Sequence, residues 1–190
     1  MKKESLLLHA CCAPCSSYVL EYLYEKYDIT VFYYNPNITE REEYIKRIKE
    51  LERFIKEAPF AEGVKLAEGE YEPELFWEMS KGLESEPERG KRCYKCYELR
   101  MKETAKYAKE NGFDLFTTTL SISPHKNAEW LNEIGLRLSG EYGIDYMYSN
   151  FKKNNGYSRS IELSREYNLY RQNYCGCVFS KEESLRRKKQ

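Results

Sequence analysis

The sequence lacks any long apolar run, and this absence excludes a membrane-spanning helix. No window approaches the ~18 uninterrupted apolar residues that such a helix needs. The first nine residues contain too short an apolar run for a secretory signal peptide, so we expect a cytoplasmic protein. Hydrophobic residues nevertheless make up 41% of the 190 residues, which is enough for a packed core. We therefore expect one domain covering residues 1–190.

The sequence also lacks net charge and has little histidine and glycine. Thirty-one Lys and Arg balance 31 Asp and Glu, so net charge argues neither for nor against a nucleic-acid partner. The two histidines are His9 and His125. No glycine occurs between Met1 and Gly63, so no glycine-rich phosphate loop follows the first predicted strand. We therefore do not expect the protein to use ATP.

Short apolar runs alternate with amphipathic stretches, a pattern typical of a parallel sheet covered by helices. Strands are predicted at residues 5–10, 29–34, 63–67, 113–120 and 144–148. Helices are predicted near residues 39–55, 97–109 and 127–138, with others after the first strand and near the C-terminus. We expect Ser16 or Ser17 to cap the first helix, and Thr39 with Glu42 to form a capping box at the second. The pattern predicts an α/β fold, a Rossmann-like or PP-loop-like three-layer sandwich with a helical C-terminal region.

Polar or reactive segments follow three of the predicted strands. They are residues 11–15, 35–37 and 121–125. In an open parallel sheet, ligands bind beyond the carboxyl ends of the strands, near the point where the strand order reverses. We therefore expect these three segments to line one site.

All seven cysteines fall in three short clusters. The clusters are Cys11, Cys12 and Cys15; Cys93 and Cys96; and Cys175 and Cys177. An odd number of cysteines without an export signal argues against a framework of structural disulfides. Buried structural cysteines need no regular spacing, whereas a two-residue gap lets both sulfurs face one metal or cluster. The clusters therefore favour metal or redox chemistry.

Three chemical interpretations remain open at this point. An iron–sulfur cluster ranks first because it is wider than a single ion, so the adjacent Cys11 and Cys12 can reach different irons. A structural zinc site using Cys93, Cys96 and two other thiols would indicate a non-enzymatic RNA-binding module. A thiol–disulfide oxidoreductase would use Cys12 and Cys15 after the first strand, but it would leave five cysteines without a role.

Five segments taken together resemble one known family. They are Leu-His-Ala-Cys-Cys-Ala-Pro-Cys at 8–15, Tyr-Tyr-Asn-Pro-Asn-Ile at 33–38, Gly-Lys-Arg-Cys-Tyr-Lys-Cys-Tyr at 90–97, Phe-Thr-Thr-Thr-Leu-Ser-Ile-Ser-Pro-His-Lys at 116–126 and Tyr-Cys-Gly-Cys at 174–177. The chain resembles the epoxyqueuosine reductase QueH family, the cobalamin-independent type. The resemblance covers nearly the whole chain in order.

The resemblance implies a tRNA-modifying oxidoreductase. Such an enzyme removes the epoxide oxygen of epoxyqueuosine in the anticodon loop, using two electrons and two protons from an electron donor, in the last step of queuosine synthesis. It implies a 4Fe-4S cluster with four cysteine ligands, namely Cys11, Cys12, Cys93 and Cys96. It also implies a second iron beside the cluster, for which Cys15 is the candidate ligand at a position where the family can have a carboxylate. Cys175 and Cys177 match a redox-active pair.

Further residues are candidates for proton transfer and RNA binding. His125 follows the fourth strand and is a candidate proton donor to the departing oxygen. We expect His9 to be a buried, hydrogen-bonded core residue. Tyrosines that can stack on loop bases alternate with basic residues near the last cysteines. The tyrosines are Tyr157, Tyr167, Tyr170 and Tyr174, and the basic candidates are Lys91, Arg92, Lys126, Lys152, Lys153, Arg159, Arg165, Arg171 and the tail from Arg186.

Overall fold

The computed structural model describes residues 3–187, which contain a five-stranded parallel sheet. The strands are β1 (Glu4–Ala10), β2 (Tyr27–Tyr33), β3 (Lys65–Glu68), β4 (Leu115–Thr118) and β5 (Asp145–Tyr146). Their order is β3-β2-β1-β4-β5, and every neighbouring pair is parallel. The order reverses between β1 and β4, which is the position where a Rossmann-like sheet binds its ligands.

Seven α-helices accompany the sheet within the described residues. They are α1 (Ala13–Leu23), α2 (Arg41–Glu57), α3 (Pro73–Ser80), α4 (Lys91–Glu110), α5 (Ala128–Tyr142), α6 (Gly156–Glu166) and α7 (Val178–Arg187). Short 3-10 turns occur at Pro59–Ala61 and Thr119–Ile122. Among residues 3–187, no helix is both long and apolar enough to cross a membrane. The structure confirms the predicted α/β class and the helical C-terminal region.

The central strand β1 divides the interior into two cores. Successive side chains of a strand point to opposite faces of the sheet. Leu6 and Leu8 therefore pack with residues of α1 and α2 on one face, while Leu7 packs with residues of α4 and α5 on the other. All three leucines are fully buried, so helices cover both faces of β1. The reactive segment after β1 consequently emerges between the two helical layers.

The predicted cap of the first helix is wrong. Helix α1 begins at Ala13, directly after an extended Cys12. The hydroxyl of Ser16 donates to the carbonyl oxygen of Cys12 at 2.9 Å, and that of Ser17 donates to the carbonyl oxygen of Pro14 at 2.9 Å. Pro14 is compatible with the first turn of the helix, because a backbone N–H at this position would have no acceptor within the helix. Both serines lie inside the helix, and Cys15 belongs to its first turn.

The predicted capping box is also wrong. Glu40 occupies the N-cap of α2 and makes no side-chain cap hydrogen bond. The structure places the first residue of the helix at Arg41, two positions after Thr39. The helix itself and its apolar face, with Tyr44, Leu51 and Phe54 buried, agree with the predicted periodicity.

Helix α4 begins six residues earlier than predicted, at Lys91. The guanidinium of Arg92 is buried, and its Nη1 donates to three carbonyl oxygens of the preceding loop. These acceptors are Leu83 at 2.8 Å, Glu84 at 3.1 Å and Glu86 at 2.6 Å. The loop thus fixes the first turn of α4, and Cys93 and Cys96 lie on the helix and not before it.

Helix α5 packs against β5 through Gly135. A Cβ at this position would collide with the ring of Tyr146. We expect Gly135→Ala to lower the free energy of unfolding by about 1–3 kcal/mol, because a close-packed core does not accommodate an added methyl group. Gly140→Ala on the same helix is the matched control: apart from the local backbone of the helix, no atom lies within 4 Å of the position that its new Cβ would occupy, so it should raise stability by up to ~1 kcal/mol. Denaturant unfolding measures both, and equal stabilities would contradict this packing.

Candidate functional site

The segments after β1, β2 and β4 meet at one edge of the sheet, as the sequence predicts. Asn35, just after β2, donates its side-chain N–H to the carbonyl oxygen of Ala10 at the end of β1, at 2.9 Å. A cavity of about 290 Å³ opens over this edge. Its walls come from the segment after β1, from residues 122–126 and from residues 171–175 of the chain between α6 and α7. Asn37, also after β2, lines a second and smaller cavity with Lys126, so the three predicted segments lie at one site.

Three thiols form a compact group at the end of β1, which we call the β1 thiol triad: Cys11, Cys12 and Cys15. Their sulfur atoms all lie within 4.8 Å of one another, and the Sγ atoms of Cys11 and Cys12 are 3.7 Å apart. Cys11 and Cys12 are buried and Cys15 is half-buried. Thiolates this close together are suitable metal ligands. The triad can therefore hold a metal.

Hydrogen bonds within the β1 thiol triad distribute charge unequally. Hydrogen bonding with the neighbouring thiols of Cys12 and Cys15 lowers the pKa of Cys11 well below its usual value. The same interaction with Cys11 raises the pKa of Cys12 to about 12 and moves the pKa of Cys15 well above its usual value. A metal that binds all three sulfurs would displace the protons that they still carry.

Cys93 and Cys96 lie in the first two turns of α4. A spacing of three residues places both side chains on the same face of the helix. The backbone N–H of Arg89 donates to the Sγ of Cys93 at 3.3 Å. Cys96 is buried, and burial raises the pKa of its thiol to about 12. A negative charge on Cys96 therefore needs a cation or a metal beside it.

Cys175 and Cys177 occupy the chain between α6 and α7. Gly176 between them has a φ of 123°, in the region that favours glycine, and a Cβ there would meet Ile38 at 2.8 Å. The Oγ of Ser180 accepts a hydrogen bond from the backbone N–H of Cys175 at 2.9 Å. All seven cysteines are free thiols in the structure. The redox role of this pair therefore stays a prediction.

The buried Arg47 of α2 holds this loop in place, and the sequence pattern gave no indication of it. Its Nη1 donates to the carbonyl oxygen of Cys175 at 3.0 Å and its Nη2 to that of Tyr174 at 3.3 Å. Its Nε pairs with Glu43 at 2.7 Å. The contacts to the loop join residues more than 120 positions apart in the chain, so only the folded structure reveals them.

Cys175 connects two groups of thiols. It lines the 290 Å³ cavity together with Cys11 and Cys15. It also lines a second cavity of about 20 Å³ together with Cys93, Cys96 and Cys177. The three clusters of the sequence thus surround one continuous region of the protein.

Lys126 is a basic residue in direct contact with this region and lines the large cavity, and its role in RNA binding stays a prediction. Its Nζ donates to the Sγ of Cys175 at 3.2 Å. Burial opposes the charged ammonium, but Cys175, Tyr97 and Cys11 outweigh it and hold the pKa of Lys126 well above its usual value. The ammonium therefore contacts the sulfur of Cys175 at the wall of the large cavity.

The two histidines have different environments. His9 is fully buried, with Nδ1 2.9 Å from the hydroxyl of Thr118 and Nε2 3.1 Å from the carbonyl oxygen of Tyr34. Burial, together with the charge of Arg100, lowers the pKa of His9 to about 3, so the ring is neutral. This confirms the structural role expected for His9. His125 is exposed and lines both cavities, and its role as a proton donor stays a prediction.

Some of the basic and aromatic residues proposed to bind RNA line the large cavity, whereas others are paired within the protein. Tyr157, Tyr174 and Arg171 line the large cavity. Arg92 is buried among carbonyl oxygens, and Arg159 pairs with Glu21 at 2.6 Å. The structure therefore contradicts an RNA contact for Arg92. The end of the basic tail, residues 188–190, lies outside the described residues.

Arg100 is a residue of α4, one helical turn after Cys96, and it is fully buried. Its Nη2 donates to the side-chain oxygen of Asn35 at 2.6 Å, whereas Nε and Nη1 have no hydrogen-bond partner among the described residues. Buried donors in native proteins are almost always satisfied. The unpartnered N–H groups face a region rich in sulfur and therefore fit a bound group with sulfur acceptors.

Six of the seven thiols line the two cavities at the carboxyl edge of a Rossmann-like sheet, and Cys12 completes the β1 thiol triad beside them. This arrangement is typical of an oxidoreductase that works through sulfur or through metal bound to sulfur. The model of a family described as epoxyqueuosine reductase QueH matches residues 6–183. The chain belongs to this family. Membership confirms the resemblance and indicates an oxidoreductase.

Similar proteins named epoxyqueuosine reductase QueH occur in distant bacteria. The protein of Staphylococcus epidermidis is 46% identical over 183 residues, which cover 94% of this chain and 77% of that protein. The protein of Streptococcus pyogenes is 46% identical over 180 residues, covering 94% of this chain and 71% of that protein. The protein of Thermotoga maritima is 36% identical over 177 residues, covering 93% of this chain and 90% of that protein.

Proposed function

We propose that this protein reduces epoxyqueuosine to queuosine in tRNA, the final step of queuosine synthesis, and that residues 1–190 act as one cytoplasmic domain. The observation that carries the proposal is that six thiols line two adjoining cavities, with Cys12 beside them in the β1 thiol triad, in a member of the QueH family. The cavity of about 290 Å³ is at the lower end of the range for small-molecule sites, which suits one modified base inserted from a loop.

The thiols fit an iron–sulfur cofactor. The proposed ligands of a 4Fe-4S cluster are Cys11 and Cys12 from the β1 thiol triad and Cys93 and Cys96 from α4. Three of the four are buried, and the unpartnered donors of Arg100 supply hydrogen bonds for sulfur. A bound cluster would supply single electrons, and a second iron held by Cys15 would act as a Lewis acid on the epoxide oxygen.

Cys175 and Cys177 are suited to deliver the reducing equivalents. Closing a disulfide between two thiols releases two electrons and two protons. Converting an epoxide to an alkene and water consumes two electrons and two protons, so the two half-reactions balance. Cys175 lines both cavities, and Lys126 stabilises negative charge on its sulfur at 3.2 Å. An external donor, which we expect to be a cellular reductant, would then reopen the disulfide.

Two groups at the cavity are candidates to protonate the departing oxygen. His125 is exposed at the edge of the cavity. Lys126 lies deeper, with its Nζ beside Cys175. The two side chains are adjacent in sequence and reach the cavity from the same loop. The raised pKa of Lys126 makes its ammonium a poor acid, so His125 is the proposed donor to an oxygen bound beside Cys15 and Cys175.

The tRNA would approach over the open side of the large cavity. Tyr157 and Tyr174 line this cavity and offer rings for base stacking. Arg171 at the edge and the nearby Lys153 are exposed and can contact phosphates. The backbone of the anticodon loop would then remain outside while one base enters.

Anaerobic turnover tests the proposed function. The protein, with its iron and sulfide measured, is mixed with dithionite and tRNA that contains epoxyqueuosine, and the digested tRNA is analysed by mass spectrometry. We expect queuosine to appear, with a loss of one oxygen from the nucleoside. The same tRNA without epoxyqueuosine is the control. If protein loaded with iron and sulfide leaves epoxyqueuosine unchanged, the proposal is wrong.

A further inference from the structure

Arg100 is an unusual buried cation because most of its hydrogen-bonding capacity is unused. It is 0% exposed and lies one helical turn after Cys96 on α4. One nitrogen donates to Asn35, and the other two, Nε and Nη1, make no hydrogen bond of standard geometry among the described residues. The sulfur of Cys96 is close enough to the guanidinium to raise its pKa. Asn35 in turn donates to Ala10, next to Cys11. The guanidinium is thus fixed between the strand that ends at the β1 thiol triad and the helix that supplies Cys96.

No carboxylate neutralises this charge. None of the ion pairs formed within residues 3–187 includes Arg100. The nearby groups that would balance its charge once ionised or bound to a metal are the sulfurs of Cys96, Cys11 and Cys175. Burial opposes its charge, but these sulfurs outweigh burial and raise the pKa of Arg100. A buried cation without a partner is strongly destabilising, so its partner must be negative charge on sulfur.

We propose that Arg100 is the counter-charge of the sulfur-bound cluster, donating its free N–H groups to cluster or cysteine sulfur and thereby favouring the reduced state. The inference rests on the proposed cluster. Reduction adds one negative charge to a group that Arg100 faces in a low-dielectric interior, so the nearby cation stabilises the reduced form more than the oxidised form. Hydrogen bonds to sulfur raise the reduction potential in the same direction.

A purely structural role for Arg100 would not explain these contacts. Holding Asn35 requires only one of its three nitrogens, and Asn35 is already held by Ala10. His9 is also near Arg100, but its neutral ring does not balance the charge. Arg100 is therefore a positioning and tuning residue, and it does not need to contact substrate.

The midpoint potential of the cluster tests this role. Arg100→Gln retains an amide donor for Asn35 but loses the charge, and Arg100→Lys retains the charge but replaces three nitrogens with one. Each variant is reconstituted to the same iron and sulfide content as the wild type and titrated with dithionite while the visible and EPR spectra are followed. We expect the equilibrium constant for reduction to fall at least tenfold in Arg100→Gln, about 59 mV for a one-electron couple. The value for Arg100→Lys should lie between that of Arg100→Gln and that of the wild type.

Thr104→Val is the matched control for a packing effect on α4. Thr104 is fully buried one turn further along the helix, and its hydroxyl donates to the carbonyl oxygen of Arg100 at 2.8 Å. This variant should keep the wild-type potential.

Equal potentials in wild type and Arg100→Gln at equal iron content would refute the proposal. If Arg100→Gln does not fold, the test is made with Arg100→Lys, and a wild-type midpoint potential in that variant would refute the proposal. A wild-type protein that takes up no cluster would instead refute the proposed cofactor, and an active cluster with unchanged potentials would refute only the role of Arg100.

Discussion

Cys96→Ser should reduce the iron and sulfide of the reconstituted protein to less than about a tenth of the wild-type content, because the variant loses a thiolate ligand. Cys96 is buried at the second turn of α4, where it lines the small cavity with Cys93, Cys175 and Cys177. Burial raises the pKa of its thiol to about 12, so its thiolate is stable only with a metal or cation beside it. A serine hydroxyl at this site keeps its proton and is a poor ligand for iron. Iron and sulfide analysis, with the visible absorbance, measures the loss.

Cys177→Ser is the matched control, because it removes a second buried thiol from the same small cavity. Burial also raises the pKa of Cys177 to about 12, and the backbone N–H of Ser180 donates to its Sγ at 3.4 Å. We expect this variant to keep the full iron and sulfide content. A cluster that survives Cys96→Ser but is lost in Cys177→Ser would reverse the two roles and show that the second pair provides the ligands.

The fold class could be predicted from the sequence because periodicity is local. The run from Leu6 to Leu8 is apolar on both faces of the strand, as a central parallel strand requires, and it is buried as expected. Helix starts were predicted less well. Ser16 and Ser17 are residue types that often cap helices, but α1 begins earlier, after the extended Cys12 and with Pro14 in its first turn. The early start of α4 depends on Arg92, whose acceptors lie in a loop that has no periodic pattern.

The cysteines of the site could be predicted because their spacing is visible in the chain. Their surroundings could not, because each partner comes from a distant segment. Arg47 holds the Cys175 loop from 128 residues away, and Lys126 reaches Cys175 from 49 residues away. The sequence presents Lys126 and Arg92 as basic residues of the same kind as Lys153. Only the fold separates cations that are buried beside sulfur or carbonyl groups from those that are exposed.

Cys175→Ser should slow steady-state turnover with a dithiol donor by about a hundredfold or more while leaving the iron and sulfide content unchanged. A disulfide needs both sulfurs, so one serine removes the two-electron delivery that we propose for the pair. Lys126 would lose its sulfur partner, but the four proposed cluster ligands are untouched. One round of reduction by dithionite, which replaces the donor, should keep the wild-type yield. The amount of queuosine formed per enzyme is measured with the dithiol donor and with dithionite. A loss only with the dithiol donor identifies Cys175 as part of the electron relay and not as a cluster ligand.

The double variant Cys175→Ser/Cys177→Ser gives the sharper test, because residues that act as one unit are not additive. If the two thiols form one redox pair, each single variant should already be as slow as the double variant with the dithiol donor. Independent roles would instead multiply the two losses. A Cys175→Ser protein that keeps full steady-state turnover would exclude the relay. A loss of the dithionite-driven round as well would place Cys175 at the reacting nucleoside, consistent with its position between the large cavity and the buried thiols.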